Sequence, residues 1–486
     1  NFMSLFSDTK LLSILKSLSA WERNRFTKFV QSPYFNTDLK LVSLLEKILE
    51  EMDSGEVSRE ELDQFLHPEE DFQYDRITNY LSYLTRHLEN FLAYERIRKD
   101  PFQLRYQTLC EARERGIGKL FRQIDREFER RETSKKSWNA EDYYQGHLIE
   151  NERNAFFLSQ ERRKNDESFT RNISHIEHFY FLAMLKAVCQ LINLRNVIQS
   201  QTEEADLLEF LKTIQNRHQQ FASDPLIYIY YRVLMTLIES EAPQHYFQLK
   251  NDLENLKEAI IPLERKTIYQ YGLNYCIKKA NSGNTEFLEE LFELYQAMIN
   301  EKLIFQDGYI LHHDVKNIVS LGVRLKKFTW TESFMEEVRE SITPEHRNNS
   351  LNYNLAYLFH GKGELRKALR LLREVELQDV YYALGARTLL MKIYYELNEQ
   401  EGLDSLIHSF RNYLSRNKIV SVYQRKIHLN LIKFVGRLNK IRIKKMILSP
   451  YVFKEQTQRL HKRIITTKEI TNIGWLLGEL EKLANN

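Results

Sequence analysis

Two histidine clusters are the first places where this sequence holds residues that could do chemistry. His175, Glu177 and His178 set two imidazoles three positions apart, which is half of a helical metal site. A complete site also needs partner carboxylates. His312, His313 and Asp314 supply a base and an acid. A triad further needs a nucleophile held on a strained turn or a helix start, and no GxSxG or reactive-cysteine context provides one. Both clusters therefore read as helix-face residues, with Asp314 facing solvent or a nearby basic side chain.

The other chemical motifs fail on spacing. Gly361-Lys362-Gly363 lies where a turn between two helices is expected and completes neither a phosphate loop nor a GxGxxG pattern, and HExxH is absent from the sequence. Glu203-Glu204 and Glu289-Glu290 are carboxylate pairs of the kind found on solvated helices. Cys110, Cys189 and Cys276 stand far apart without a CxxC pair, so neither a disulfide framework nor a cysteine zinc site is expected. Each is expected as a small buried thiol. The expectation is a non-enzymatic protein with no catalytic residue, cofactor or metal.

Charge points to a partner. Between Arg411 and Lys468 there are sixteen Lys and Arg residues against one acid, Glu455, a net +15 in a chain of net charge +3. On an ideal helix from about Ser421 to Lys445, Lys426, Lys433, Arg437, Lys440 and Lys444 fall on one stripe, their spacings of 7, 4, 3 and 4 matching the helical repeat. Ile427, Leu431, Phe434, Val435 and Leu438 fall on the opposite side. Gly436 and Asn439 are candidate interruptions. Three readings compete for the stripe. It is the solvated face of a terminal capping helix, or a docking surface for an acidic protein segment or RNA, with Tyr413, Tyr423, Tyr451 and Phe453 adding stacking area. The third, membrane-surface binding, is disfavoured because the apolar face is already committed to the core.

The elements that must hold this stripe are helical. With 15 Gly and 8 Pro in 486 residues, the chain lacks the turn signals of a sheet protein of this length. Leu226 to Tyr231 (LIYIYY) looks strand-like locally, but the apolar pattern continues at helical spacing through Leu237. Helices are predicted at roughly 8 to 30, 38 to 52, 58 to 66 and 74 to 97. Ser58 and Glu61 have capping-box spacing. Ser54-Gly55 should break the second helix, and Ser134 to Ala140 is the candidate turn in a charge-rich stretch that includes Glu127–Glu132 and Glu161–Asp166. His178 to Ile192 is apolar and expected to be buried. Beyond Thr202, helix pairs are expected with first members starting near 205, 245, 285, 327, 364 and 399, a period of roughly 35 to 42 residues.

Asn352 to Val375 resembles a tetratricopeptide repeat. Leu355, Ala356, Phe359, Gly363, Ala368, Leu372 and Val375 stand where that family places its packing residues. Leu390 to Phe410 keeps the spacing with Met391, Tyr394, Leu403, Ile407 and Phe410. The repeats are degenerate: Asn352 stands where the family favours Trp, and no Pro closes the unit. The resemblance implies an all-α fold, a right-handed α-solenoid of helix pairs, here preceded by a small helical N-terminal domain. The organisation read from the sequence is a helical domain over 1–115, a charged helical connector over 116–204, and a repeat solenoid over 205–486 with basic capping helices.

A second resemblance concerns the N-terminal domain. Val57–Leu62 followed by Tyr74–Glu89 looks like the helix and recognition helix of winged-helix response-regulator domains, which would make Arg76, Asn79, Ser82 and Arg86 DNA-facing. Residues 1–100, however, hold 13 Lys/Arg and 18 Asp/Glu. An acidic surface opposes the phosphate neutralisation that DNA binding requires. The function expected is that of a cytoplasmic protein-interaction scaffold that captures an acidic protein or peptide on repeat-helix surfaces. The alternative is a nucleic-acid-binding regulator. No stretch is apolar enough to span a membrane, and none resembles a signal peptide.

Overall fold

A computed structural model describes residues 9–52, 58–135, 137–159, 167–198, 212–214, 216–221, 223–376 and 380–485. The Ser54-Gly55 break, Val57, the Glu161–Asp166 run, Glu203-Glu204 and the helix start near 205 lie outside them. The fold is all-α. Among the described residues the extended pairings are two isolated bridges, Gln306 with Tyr309 and Ile310 with Ile342. The chain forms two compact units, Asn1–Phe179 and Tyr180–Asn486.

The first unit begins with α1 (Lys10–Ser17), α2 (Ala20–Gln31), α3 (Leu39–Glu51), α4 (Arg59–Leu66) and α5 (Tyr74–Lys99). The single helix expected over 8 to 30 is in fact two. Ser19 and Glu22 form a capping box that starts α2, and this local satisfaction of orphan N–H groups outweighs the continuous apolar pattern. The Ser58 capping box is formed as its spacing predicts. Phe26, Leu44, Leu45, Ile48, Leu84 and Leu88 are fully buried and join α2, α3 and α5 in one core. After them come α6 (Pro101–Glu114), α7 (Gly118–Ser134) and α8 (Ala140–Ser159), so the predicted turn separates α7 from α8.

The division between the units falls within α9 (Ser168–Ile198). Only part of its apolar run is buried. Phe181, Leu182, Leu185, Val188 and Cys189 face inward, whereas Tyr180, Leu191 and Leu194 are exposed. A helix this long buries a stripe, not its circumference.

The second unit continues with α10 (Pro225–Ile238), α11 (Pro243–Asn255), α12 (Pro262–Asn281), α13 (Phe287–Asn300), α14 (His312–Arg324), α15 (Phe328–Val338), α16 (Arg347–Gly361) and α17 (Leu365–Arg373). It ends with α18 (Val380–Glu396), α19 (Gln400–Arg416), α20 (Val422–Lys444), α21 (Pro450–Thr466) and α22 (Ile473–Asn485). The strand-like Leu226–Tyr231 is helical, within α10. Helices do start near the predicted 245, 285, 327, 364 and 399, but these are the second members of hairpins. The turns preceding α13, α15, α17 and α19 contain Gly283, Lys326, Gly363 and Asn398, all with left-handed φ. Helices joined by these turns pack more extensively than helices joined by the connections that follow.

In the α16–α17 hairpin Ala356 and Ala368 are fully buried, and Leu372, Val375 and Phe359 pack around them. Leu355 stands outside that cluster. The α14–α15 hairpin has a close approach of its own at Gly322. A methyl group added at Gly322 would lie 2.2 Å from Oγ1 of the fully buried Thr331, whose hydroxyl donates to the Lys327 carbonyl at 2.8 Å. Gly322→Ala is expected to cost about 1–3 kcal/mol through overpacking, measured by urea denaturation. Adding Thr331→Ala should recover part of that loss, because it removes the clashing hydroxyl.

Candidate functional site

In the second unit, three clefts are lined mainly by the first helices of successive hairpins, and two of them share residues. The largest, about 710 Å³, lies among α9, α10 and α12, with Asn193, Arg195, Asn274 and Lys278 on its walls. Asn193, Asn274 and Ile277 also line the next, about 400 Å³, which extends to Lys266, Asp314 and Asn317. From α14 the third, about 270 Å³, takes Lys316 and Ser320, adding Tyr353 and Tyr357 of α16, Thr388 and Lys392 of α18, and Gln424 and His428 of α20. Across the three, the lining includes five cations (Arg195, Lys266, Lys278, Lys316 and Lys392) and one acid, Asp314. Burial pushes the Asp314 carboxyl above its ordinary range, with His313 and Lys266 opposing.

The third cleft has the most unusual chemistry. Lys392 is 7% exposed, and burial pulls its amine down to about 8, with Glu396 opposing. Its Nζ stands 5.7 Å from the Trp475 ring centre. Lys316 Nζ lies over the rings of Tyr353 and Tyr382 at 5.1 and 5.5 Å. The Thr388 hydroxyl is buried without a partner in the described structure. Nδ1 of His428 donates to the Gln424 carbonyl at 2.7 Å, and burial lowers its pKa. Gly385 is required on the cleft wall: a Cβ there would meet the Tyr353 hydroxyl at 2.6 Å. A polar node lies one turn from Lys392 on α18. Glu396 accepts from Trp475 Nε1 at 2.6 Å and lies 3.0 Å from His360 Nε2. Burial acts to raise the Glu396 pKa, but these hydrogen bonds and nearby cations hold it lower.

The basic stripe is only partly assembled as predicted. The helix runs unbroken through Gly436 and Asn439, and Asn439 Oδ1 accepts from Arg442 Nη2 at 2.7 Å. Leu431, Phe434, Val435 and Leu438 are buried, and Ile427 is half-buried. Lys426 is removed from the stripe by an ion pair with Glu469. Lys433 is exposed but lies outside the groove that the remaining three enter. Arg437, Lys440 and Lys444 line one wall of an open groove of about 360 Å³, and Arg459 and Arg463 of α21 line the other. None of these five cations is ion-paired among the described residues, and no acid lines the groove. Arg459 and Arg463 were not recognised from the sequence as partners of the stripe. Their i,i+4 spacing was the available signal.

The expected stacking residues divide. Tyr423 and Tyr451 are 62% and 78% exposed. Tyr413 is half-buried, with the Arg387 guanidinium 4.0 Å from its ring centre and its hydroxyl accepting from Asn417. Phe453 packs on the core and lies beneath Lys445. Packing therefore occupies two of the four.

Of the remaining candidates, some are engaged by ring packing or ion pairs and others stay exposed. His175 is stacked on Trp138, ring centres 5.0 Å apart, and burial pushes its pKa down to about 4. His178 lies against Tyr143. His312 and His313 open α14, His312 with its ring against His346. Among the described residues no group of three or more His, Cys, Asp or Glu residues could hold a metal. The Cys189 and Cys276 thiols are buried, and Cys110 is half-buried. In the N-terminal unit Arg76 does not face outward: it is ion-paired to the buried Asp63 and to Glu70. Asn79, Ser82 and Arg86 are exposed. Lys362 of the Gly-Lys-Gly turn is ion-paired to Glu332. No helix among the described residues is long and apolar enough to cross a membrane. Compared with family models, curated proteins and solved structures, the chain finds no match.

Proposed function

We propose that the second unit is a degenerate tetratricopeptide-like solenoid that captures an acidic peptide or protein segment, and that it acts as a non-enzymatic scaffold. The observation that carries the reading is the common character of the three cleft linings. They are lined mainly by the first helices of consecutive hairpins, and they present five cations against one acid. An extended segment lying across them would place side chains in successive clefts. Asn193, Asn274 and Asn317 would offer amide groups to its backbone. Lys316 and Lys392 would receive carboxylates, and the partial burial of the cleft would strengthen those contacts.

The test is fluorescence-anisotropy titration with acidic, neutral and basic peptide pools, repeated with Lys316→Glu and Lys392→Met. Acidic peptides should bind, and each substitution should weaken them by about tenfold, roughly 1.4 kcal/mol. Binding should also fall as pH rises past about 8, because Lys392 loses its proton there. Equal binding of acidic and basic pools, or indifference to both substitutions, would refute the reading. For a nucleic-acid reader in the N-terminal unit, the engagement of Arg76 with Asp63 and Glu70 removes one of the four expected base-contacting side chains.

A further inference from the structure

The turn between α20 and α21 places its apolar residues outward. Met446 is 98% exposed and Ile447 85% exposed, with Tyr451 78% exposed on the first turn of α21. Ile443, on the last turn of α20, is 45% exposed. The apolar face of α20 is committed to the core, as the sequence implied, but a separate apolar apex is left uncovered. The five-cation groove of Arg437, Lys440, Lys444, Arg459 and Arg463 begins at Lys444, two residues before Met446, and continues along the two helices away from the turn.

We propose that this hairpin end docks on an anionic lipid bilayer surface, the apex entering the interface and the groove cations meeting the headgroups. From Arg437 to Lys444 is seven residues, roughly 10 Å along a helix. Apolar groups of interfacial elements enter only roughly 5–10 Å, so an inserted apex keeps this cation span at the headgroup level. A cation cluster alone holds a protein to anionic lipid weakly and reversibly, and apolar insertion supplies the second anchor. The combination is what distinguishes this surface.

Two rival occupants fit less well. Nucleic acid would use the cations but gains little from exposed Met446 and Ile447. Single-strand binding also draws on aromatic platforms, and no aromatic residue lines the groove. An acidic protein segment is the occupant inferred for the cleft surface, whose lining mixes polar and apolar residues. Here the aliphatic side chains form the projecting apex, which suits a deformable apolar layer behind an anionic plane. The inference concerns a different surface from the peptide clefts and stands or falls separately from them.

The experiment is vesicle co-sedimentation of the 486-residue chain, using phosphatidylcholine vesicles with and without phosphatidylserine. The chain should bind the anionic vesicles and not the neutral ones. Met446→Asp with Ile447→Asp should lower binding by at least about tenfold, and Arg437→Glu with Lys440→Glu by a similar factor, given the per-residue attraction of cations to anionic lipid. Ile419 and Val422, also exposed, lie at the other end of α20, so Ile419→Asp with Val422→Asp should leave binding unchanged. Unaltered thermal unfolding of each variant shows that the fold is retained. The proposal is overturned by failure to bind anionic vesicles at low salt, or by binding indifferent to the apex variant. It is likewise overturned if the Ile419/Val422 control loses binding to the same extent. Salt-sensitive retention of an RNA and DNA pool that depends on the groove but not on the apex, without vesicle binding, would assign the groove to nucleic acid instead.

Discussion

Arg153→Met is expected to destabilise the first unit by about 3–5 kcal/mol, the cost of removing one partner from a buried charge cluster. Arg153 lies in α8, its Nε donating to Asp125 of α7 at 2.6 Å and its Nη1 to Glu150 at 2.6 Å. Glu132 of α7 is 3.5 Å from Nη1. Glu150 is fully buried and also accepts from Arg171 Nε of α9 at 2.8 Å. Three acids thus share two arginines across three helices. Burial opposes the Arg153 charge, but the surrounding acids hold its pKa above the ordinary arginine value. Burial likewise raises the Glu132 pKa against the pull of Arg153. Without Arg153 the acids face one another, and Arg171 is left to compensate. The deficit should be largest at neutral pH and shrink as pH falls into the carboxyl range, since protonation removes the uncompensated charge. Trp138 fluorescence in a denaturant series would read it, because Trp138 is stacked on His175 in the same unit. Arg153→Lys should recover only part of the loss, as an ammonium cannot reproduce the guanidinium's planar fork.

How far the sequence could be read depended on how local the determining physics is. Capping at Ser58, the turns at Gly283 and Gly363 and the starts of α11, α13, α15, α17 and α19 are set by a few adjacent residues, and each was visible. The phase of the hairpins was harder. A helix start has the same signature whichever neighbour it packs on, so the spacing could not say which helices pair. Ser19 and Glu22 had the same capping-box spacing as Ser58 and Glu61, and the apolar run across them hid the break.

The candidate site divides in the same way. Arg437, Lys440 and Lys444 lie on one helix, and their common face follows from spacing alone. Whether a cation is available depends on a distant partner. Glu469, 43 positions along the chain, removes Lys426 from the stripe, and Arg387 occupies Tyr413. Lys392 was not singled out because its burial is contributed by other helices, and neither its own neighbours nor Glu396 reveal it. The clefts are the least legible feature, since they are lined by residues from helices far apart in sequence.

Asp63→Asn is the second substitution expected to have a large effect, again about 3–5 kcal/mol for breaking a buried ion pair. Asp63 is fully buried. It accepts from Arg76 Nε at 2.9 Å, from Arg76 Nη2 at 2.7 Å and from the Gln73 amide at 2.9 Å. It therefore joins α4 to the start of α5. The Arg76 hydrogen bonds, opposed by burial, hold the Asp63 carboxyl below the usual carboxylate range. Because the folded pKa is depressed, the stabilisation is fully present above the unfolded value of about 3.9 and is lost as pH falls through the folded value. The difference between wild type and Asp63→Asn should accordingly be constant near neutrality and narrow below about pH 4. Hydrogen exchange across α4 and α5 would localise the change. If Arg76 instead served an outward-facing role, Arg76→Ala would leave this exchange pattern intact. The pairing with Asp63 requires both substitutions to accelerate exchange in the same helices, and the double variant to be less destabilised than the sum of the two.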